Sequence, residues 1–234
     1  MTATLWASRS DRRRISRARS AVLLFGGYDG SGNYGDVLQL AATLKTVRRV
    51  PGSPLPIAVV ERPHARHAQL LLRHPSLLEG AAFVHYQDGT DRGRDGLVAL
   101  RPGIAPSCSA TYLYGGGYLN HWWGARKVAL LAAAERLASP RPIPLVASGL
   151  QVEEATVAPG GVAHELLARA SWLGVRDVGS LECLRRHLPG ESGARVELAG
   201  DDAVPVLSQE PAPTEPVVNL HLHKGEHVSD DAER

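Results

Sequence analysis

AVLLFGGYDGSGNYGD, residues 21–36, is the stretch on which the fold turns. Ala21–Phe25 is a continuous apolar run that stops at Gly26-Gly27, the pattern of a strand buried on both faces of a parallel sheet. A glycine-rich loop fills residues 26–35. From Asp36 to Arg49 apolar residues recur at Val37, Leu40, Leu44 and Val47, the spacing of a helix with one buried side. Asp36 stands in the first turn, where the helix dipole favours an acid, and Arg48 and Arg49 stand at the other end, where it favours cations. Pro51, Pro54 and Pro56 end the helix.

The same alternation continues downstream. Strands are expected at 57–60, 81–85, 111–114, 143–148, 172–175 and 196–198. Helices are expected at 64–73, 125–138, 162–170 and 178–187, with a loop-rich interval at 87–108. Strands alternating with helices imply an α/β fold: a Rossmann-like parallel sheet with helices on both faces. The expected organisation is a basic disordered arm at 1–20, one domain at 21–207 and a proline-rich linker at 208–216 (SQEPAPTEP begins it at Ser208). Residues 217–234 then begin with a strand, VVNLHL, that opens a truncated second domain or forms a tail.

Bulk composition narrows the function. The 234 residues carry a formal charge of +2, with 44% hydrophobic and 21% charged residues. That balance is ordinary for a globular protein and gives no reason to expect a nucleic-acid partner. Positive charge concentrates at Arg9, Arg12, Arg13, Arg14, Arg17 and Arg19. Such a block reads as a solvated arm, with contact to a membrane surface or another polyanion as the alternative. No apolar run reaches the roughly 20 residues that span a bilayer, and nothing resembles a signal-peptide core, so a cytoplasmic location is expected. Cys108 and Cys183 lack metal or disulfide spacing.

Three segments carry possible chemistry. In the first, Gly30-x-Gly32-x-x-Gly35 matches a dinucleotide fingerprint, with Glu61 near the position of a ribose-binding acid. However, the glycines start late after the strand, and Asp36 would repel a pyrophosphate at that helix N-terminus. A tight loop without ligand is the plain reading. In the second, Gly115-Gly116-Gly117 follows an apolar strand. Ligands in open α/β sheets bind beside the switch in strand order, although a close helix–strand contact also explains glycines there. Asn120 and the Trp122-Trp123 pair follow directly; the tryptophans would stack on a sugar, wall a pocket or simply pack. In the third, a strand delivers Arg176 at its carboxyl end, with Asp177 as N-cap of the next helix. An arginine so placed grips a carboxylate or phosphate, or pairs structurally with an aspartate.

Taken with Gly149, Gln151 and the motif Gly200-Asp201-Asp202-Ala203, these segments resemble the polysaccharide pyruvyltransferase family over residues 21 to about 207. Where the family usually shows Gly-Asp-Pro-Ala, this chain has Asp202. The resemblance implies one half of a GT-B-type two-domain transferase and transfer of the enolpyruvyl unit of phosphoenolpyruvate to a sugar or glycan hydroxyl. No cofactor and no metal is implied. Arg176 would bind the donor's carboxylate or phosphate, and Asp36 would orient or deprotonate the acceptor. Gly27, Asn33 and Gly35 would contact substrate, as would Gly115, Gly116, Gly117, Asn120 and Asp177. His223 and Lys224 would stand at the threshold of the second half; His221, His223 and His227 otherwise read as solvent-facing. Two alternatives stay open. One is a catalytically incomplete half-domain that assembles with a second chain or a further copy. The other is a dinucleotide-binding oxidoreductase.

Overall fold

The computed structural model describes residues 4–28, 33–61, 76–87, 96–188 and 195–204. Among them the strands are β1 (Thr4–Ser8), β2 (Ala21–Phe25), β3 (Leu55–Val60), β4 (Ala82–Gln87), β5 (Leu97–Ala99), β6 (Cys108–Leu113), β7 (Gly116–Leu119), β8 (Leu145–Val152), β9 (Ala170–Val175) and β10 (Arg195–Leu198). The helices are α1 (Arg9–Arg17), α2 (Tyr34–Arg48), α3 (Gly124–Glu135), α4 (Glu154–Val157), α5 (His164–Ala168) and α6 (Val178–His187). They form one sheet in the order β10-β9-β8-β6-β2-β3-β4-β1-β5, with β7 beside β8. Strands β4-β3-β2-β6-β8-β9 are parallel neighbours, the doubly wound order of a Rossmann-like sheet. The α/β expectation holds.

Strand side chains alternate between faces, so each central strand feeds two cores. Leu23, Phe25, Ile57, Val59, Ala82 and Val84 point to one side. Leu24, Ala58, Val60 and Phe83 point to the other, where Val37, Leu40, Leu44 and Val47 of α2 cover them. Burying each large aliphatic side chain contributes about 1.5–3 kcal/mol, which is why an unbroken apolar run such as AVLLF settles only at the sheet centre. Helices α3, α5 and α6 cover the first face through Leu130, Leu131, Leu167 and Leu184.

The arm expected at residues 1–20 does not hold for residues 4–17. β1 pairs antiparallel with β4 (Trp6 opposite His85) and with β5 (Trp6 opposite Ala99). Its alternate residues Leu5 and Ala7 enter the core, followed by Ile15 of α1. Ser8 caps α1, its Oγ accepting from Asp11 N at 3.0 Å. The arginine block is thus the solvated side of a helix anchored by one isoleucine. The interval 87–108 contains the short strand β5, and the triple glycine runs into β7. The expected helix at 64–73 and everything expected beyond residue 204 lie outside the described residues.

Candidate functional site

The strand order reverses between β2 and β6, and the carboxyl ends at such a switch point are where open α/β sheets form a ligand crevice. β2 ends at Gly26-Gly27 and β6 leads to Tyr114-Gly115. Both glycine segments are required by close approach. A side chain on Gly26 would collide with the buried Tyr114 ring. A Cβ on Gly27 would lie 2.7 Å from Asp36 Oδ1, and one on Gly115 would lie 2.8 Å from the Gln39 side chain. Gly116 adopts φ +114°, a conformation open to glycine.

Asp36 and Gln39 sit one turn apart on α2, so they share a face of its first two turns. Gln39 Nε2 donates to Asp201 Oδ1 at 3.1 Å, and Asp201 Oδ2 lies 3.5 Å from Arg176 Nη1. The Arg176 guanidinium also donates to Gln151 Oε1. A Cβ on Gly117 would lie 3.7 Å from that guanidinium. Arg176 therefore pairs with Asp201, not with Asp177. Two of its five N–H donors have side-chain partners among the described residues, and its side chain is 30% exposed.

Asp202 forms the floor. Its carboxylate accepts from Gly115 N at 2.8 Å and from Ser148 Oγ at 2.7 Å, and Ser148 is hydrogen-bonded to Tyr112 OH at 2.9 Å. No cation pairs with Asp202 among the described residues. Burial raises its pKa above the ordinary aspartate value, against the lowering effect of the Ser148 and Gly115 hydrogen bonds. Burial is also the main cause that raises the Tyr114 and Tyr118 hydroxyls well above the ordinary tyrosine value; the Asp36 carboxylate adds to it at both, and Asp202 at Tyr118.

The structure thus joins Gly27, Asp36, Gly115, Gly117 and Arg176 around one crevice. It gives other expected residues local duties. Asn33 caps α2, its Oδ1 accepting from Gly35 N at 3.1 Å. Asn120 donates to Gly117 O at 2.7 Å and accepts from Trp122 N and Trp123 N, both at 2.9 Å. Those bonds hold the turn from β7 into α3. Asp177 caps α6 through Ser180 N at 2.8 Å and accepts from Ser180 Oγ at 3.0 Å. Trp122 and Trp123 remain exposed, with His121 4.7 Å from the Trp122 ring. Glu61 is buried against Lys127 and pairs with Arg126 at 3.2 Å, which leaves it no freedom to hold a ribose. His223 and Lys224 lie outside the described residues.

Gln39, Ser148, Asp201 and Asp202 are the site residues that sequence reading did not place here. The Gly200–Ala203 motif gave a signal, but as a sequence mark without a location. Among the described residues, no group of three or more His, Cys, Asp or Glu is arranged to hold a metal, and no helix is long and apolar enough to cross a membrane.

The fold and crevice define a doubly wound α/β protein with a polar site at the switch between β2 and β6. The sequence profile of the polysaccharide pyruvyl transferase family matches residues 33–231, and the chain belongs to that family. Comparison with curated proteins and with solved structures gives no match.

Proposed function

We propose that the chain transfers the enolpyruvyl unit of phosphoenolpyruvate to hydroxyls of a sugar or glycan. The observation that carries this reading is the gathering, around one crevice, of a partly exposed Arg176 paired with Asp201 and of the carboxylates of Asp36 and Asp202. A guanidinium matches the donor's carboxylate or phosphate with two parallel hydrogen bonds. Carboxylates accept from sugar hydroxyls, and one of them can take a hydroxyl proton as the oxygen attacks.

The reaction balances as follows. An acceptor oxygen bonds to C2 of the donor and a proton adds to C3. A second acceptor hydroxyl then bonds to C2 as the C2–O bond to phosphate breaks, which gives a pyruvate ketal and inorganic phosphate. Asp36, in the first turn of α2, would orient or deprotonate the acceptor. Asp202 holds a proton more readily than an ordinary aspartate and keeps Gly115 in position. The described wall carries more carboxylates than guanidinium groups, so it suits the neutral acceptor better than a multivalent donor. His223 and Lys224, expected from the family resemblance, would supply further positive charge to the donor.

The test is phosphate release from phosphoenolpyruvate in the presence of a panel of glycans, with mass spectrometry of the glycan products. Arg176→Ala should lower turnover by roughly 10²–10³-fold, the usual loss when one group stabilising a transition-state charge is removed. Unchanged phosphate release would remove Arg176 from the donor site. Phosphate release without a pyruvylated product would make water the acceptor and sink the glycan assignment.

A further inference from the structure

A second concave feature lies at the opposite end of the strands, where β2, β3 and β4 begin. It is a hollow of ≈ 490 Å³ lined by Arg14, Arg17, Arg19 and Arg48, with Leu55 and Gly80 among its other walls. Among the described residues, no acidic residue lines it. The crevice at Gly26 is separated from it by the length of β2, roughly 17 Å at about 3.3 Å per residue.

The four arginines come from three separate elements. Arg14 and Arg17 are on α1, Arg48 ends α2, and Arg19 precedes β2. Two of them meet at one glycine. Arg14 donates to Ala81 O at 2.7 Å and to Gly80 O, while a Cβ on Gly80 would lie 3.4 Å from the Arg48 guanidinium. Helix-dipole complementation explains Arg17 and Arg48 singly, since each sits in the last turn of its helix. It does not explain why both helices and the approach to β2 direct like charges at one hollow. Arg14 has Asp11 as a partner at 3.2 Å. Arg17, Arg19 and Arg48 form no ion pair among the described residues. Like charges brought this close repel one another, and a multivalent anion relieves the repulsion. A planar guanidinium fits phosphate oxygens better than any other side chain does, and the volume falls in the range of small-ligand sites.

We propose that this hollow binds a multivalent phosphate group, independently of the switch-point crevice. The test uses the full chain at low salt, titrated calorimetrically with inorganic pyrophosphate, and in parallel floated with phosphatidylglycerol-containing or phosphatidylcholine-only vesicles. Pyrophosphate should bind with one site per chain. Arg17→Gln/Arg48→Gln should weaken it by about tenfold or more, the loss of two charge-assisted contacts, with the melting temperature lowered by no more than about 8 °C, since each arginine also complements its helix dipole. Arg12→Gln/Arg13→Gln removes the same charge from the exposed side of α1, outside the hollow, and should change affinity less than about twofold. Binding to phosphatidylglycerol vesicles alone, lost only in the Arg17/Arg48 variant, would assign the phosphate to a lipid headgroup. Equal weakening by both double variants would overturn the proposal in favour of diffuse attraction. So would absence of binding to either probe.

Discussion

Two acids, Glu61 buried and Asp202 half-buried, stand at the ends of neighbouring parts of the sheet and are solved in opposite ways. Glu61, just past β3, is matched by Lys127 and Arg126, and Lys127 is itself buried between the Phe25 and Tyr118 rings with Nζ donating to Gly26 O at 3.3 Å. Asp202 is held by a backbone N–H and a hydroxyl, with no cation against it among the described residues. The first arrangement neutralises its charge and closes the space. The second leaves a carboxyl whose pKa is raised by burial, at the floor of a crevice with an arginine at its wall. A matched acid is structural; an acid held by neutral donors keeps the capacity to exchange a proton or meet a ligand.

The largest effect should come from breaking the matched site. Glu61→Ala leaves Lys127 buried without its partner, and removing one member of a buried pair costs about 3–5 kcal/mol. Urea unfolding measures it, and a loss below about 1 kcal/mol would show that the two acids are less different than their surroundings imply. Next comes Gly26, which lies between the two. Its Cβ would meet the Tyr114 ring, which is fully buried and has nowhere to retreat. Gly26→Ala should cost about 1–3 kcal/mol through overpacking, read in the same unfolding experiment. A neutral result would mean that the ring can rotate away and that the crevice floor is softer than its packing suggests.

The smallest change, and of opposite sign, is expected at Asp202. Its pKa is higher in the folded chain than in the unfolded one, so the folded state binds its proton more readily. The stability this group contributes is fully present below its unfolded pKa and is lost as pH rises through its folded value. Asp202→Asn keeps an acceptor for Gly115 N and removes the charge, while its amide donates to Ser148 Oγ in place of the bond the carboxylate accepts from it. At neutral pH it should melt at or slightly above the parent, and the difference should vanish as pH falls towards 4. A clearly lower melting temperature at neutral pH would show that the negative charge stabilises the floor, and the contrast with Glu61 would fail.

What the sequence made legible follows from burial. Strands covered on both faces must be apolar throughout, so AVLLF and the segment from Trp172 to Val175 announce themselves, and the glycines that end or follow them mark the crevice edge. Arg176 could be placed because a strand end followed by an N-cap aspartate fixes its position along the chain. β1 was hidden because its five residues bury only alternate side chains and the arginines of α1 follow at once. β7 was hidden because Gly116 and Gly117 offer no side-chain pattern, its strand character coming from pairing with β8. Asp202 could not be located because its partners, Gly115 and Ser148, lie 87 and 54 residues away, and only the sheet order brings them together.

The pairing of β1 also sets an order of events in time. Thr4–Ser8 is synthesised well before β4 and β5, yet its place in the sheet is between them. At roughly 5–20 residues per second of translation, its first partner strand follows about 4 to 16 seconds later. Through that interval a short strand with unpaired edges is exposed to association with other chains. The arginines that follow it act as gatekeepers, their mutual repulsion discouraging such contacts. The charge block that conceals this strand from a reader of the sequence also shelters it on the ribosome until its place in the sheet exists.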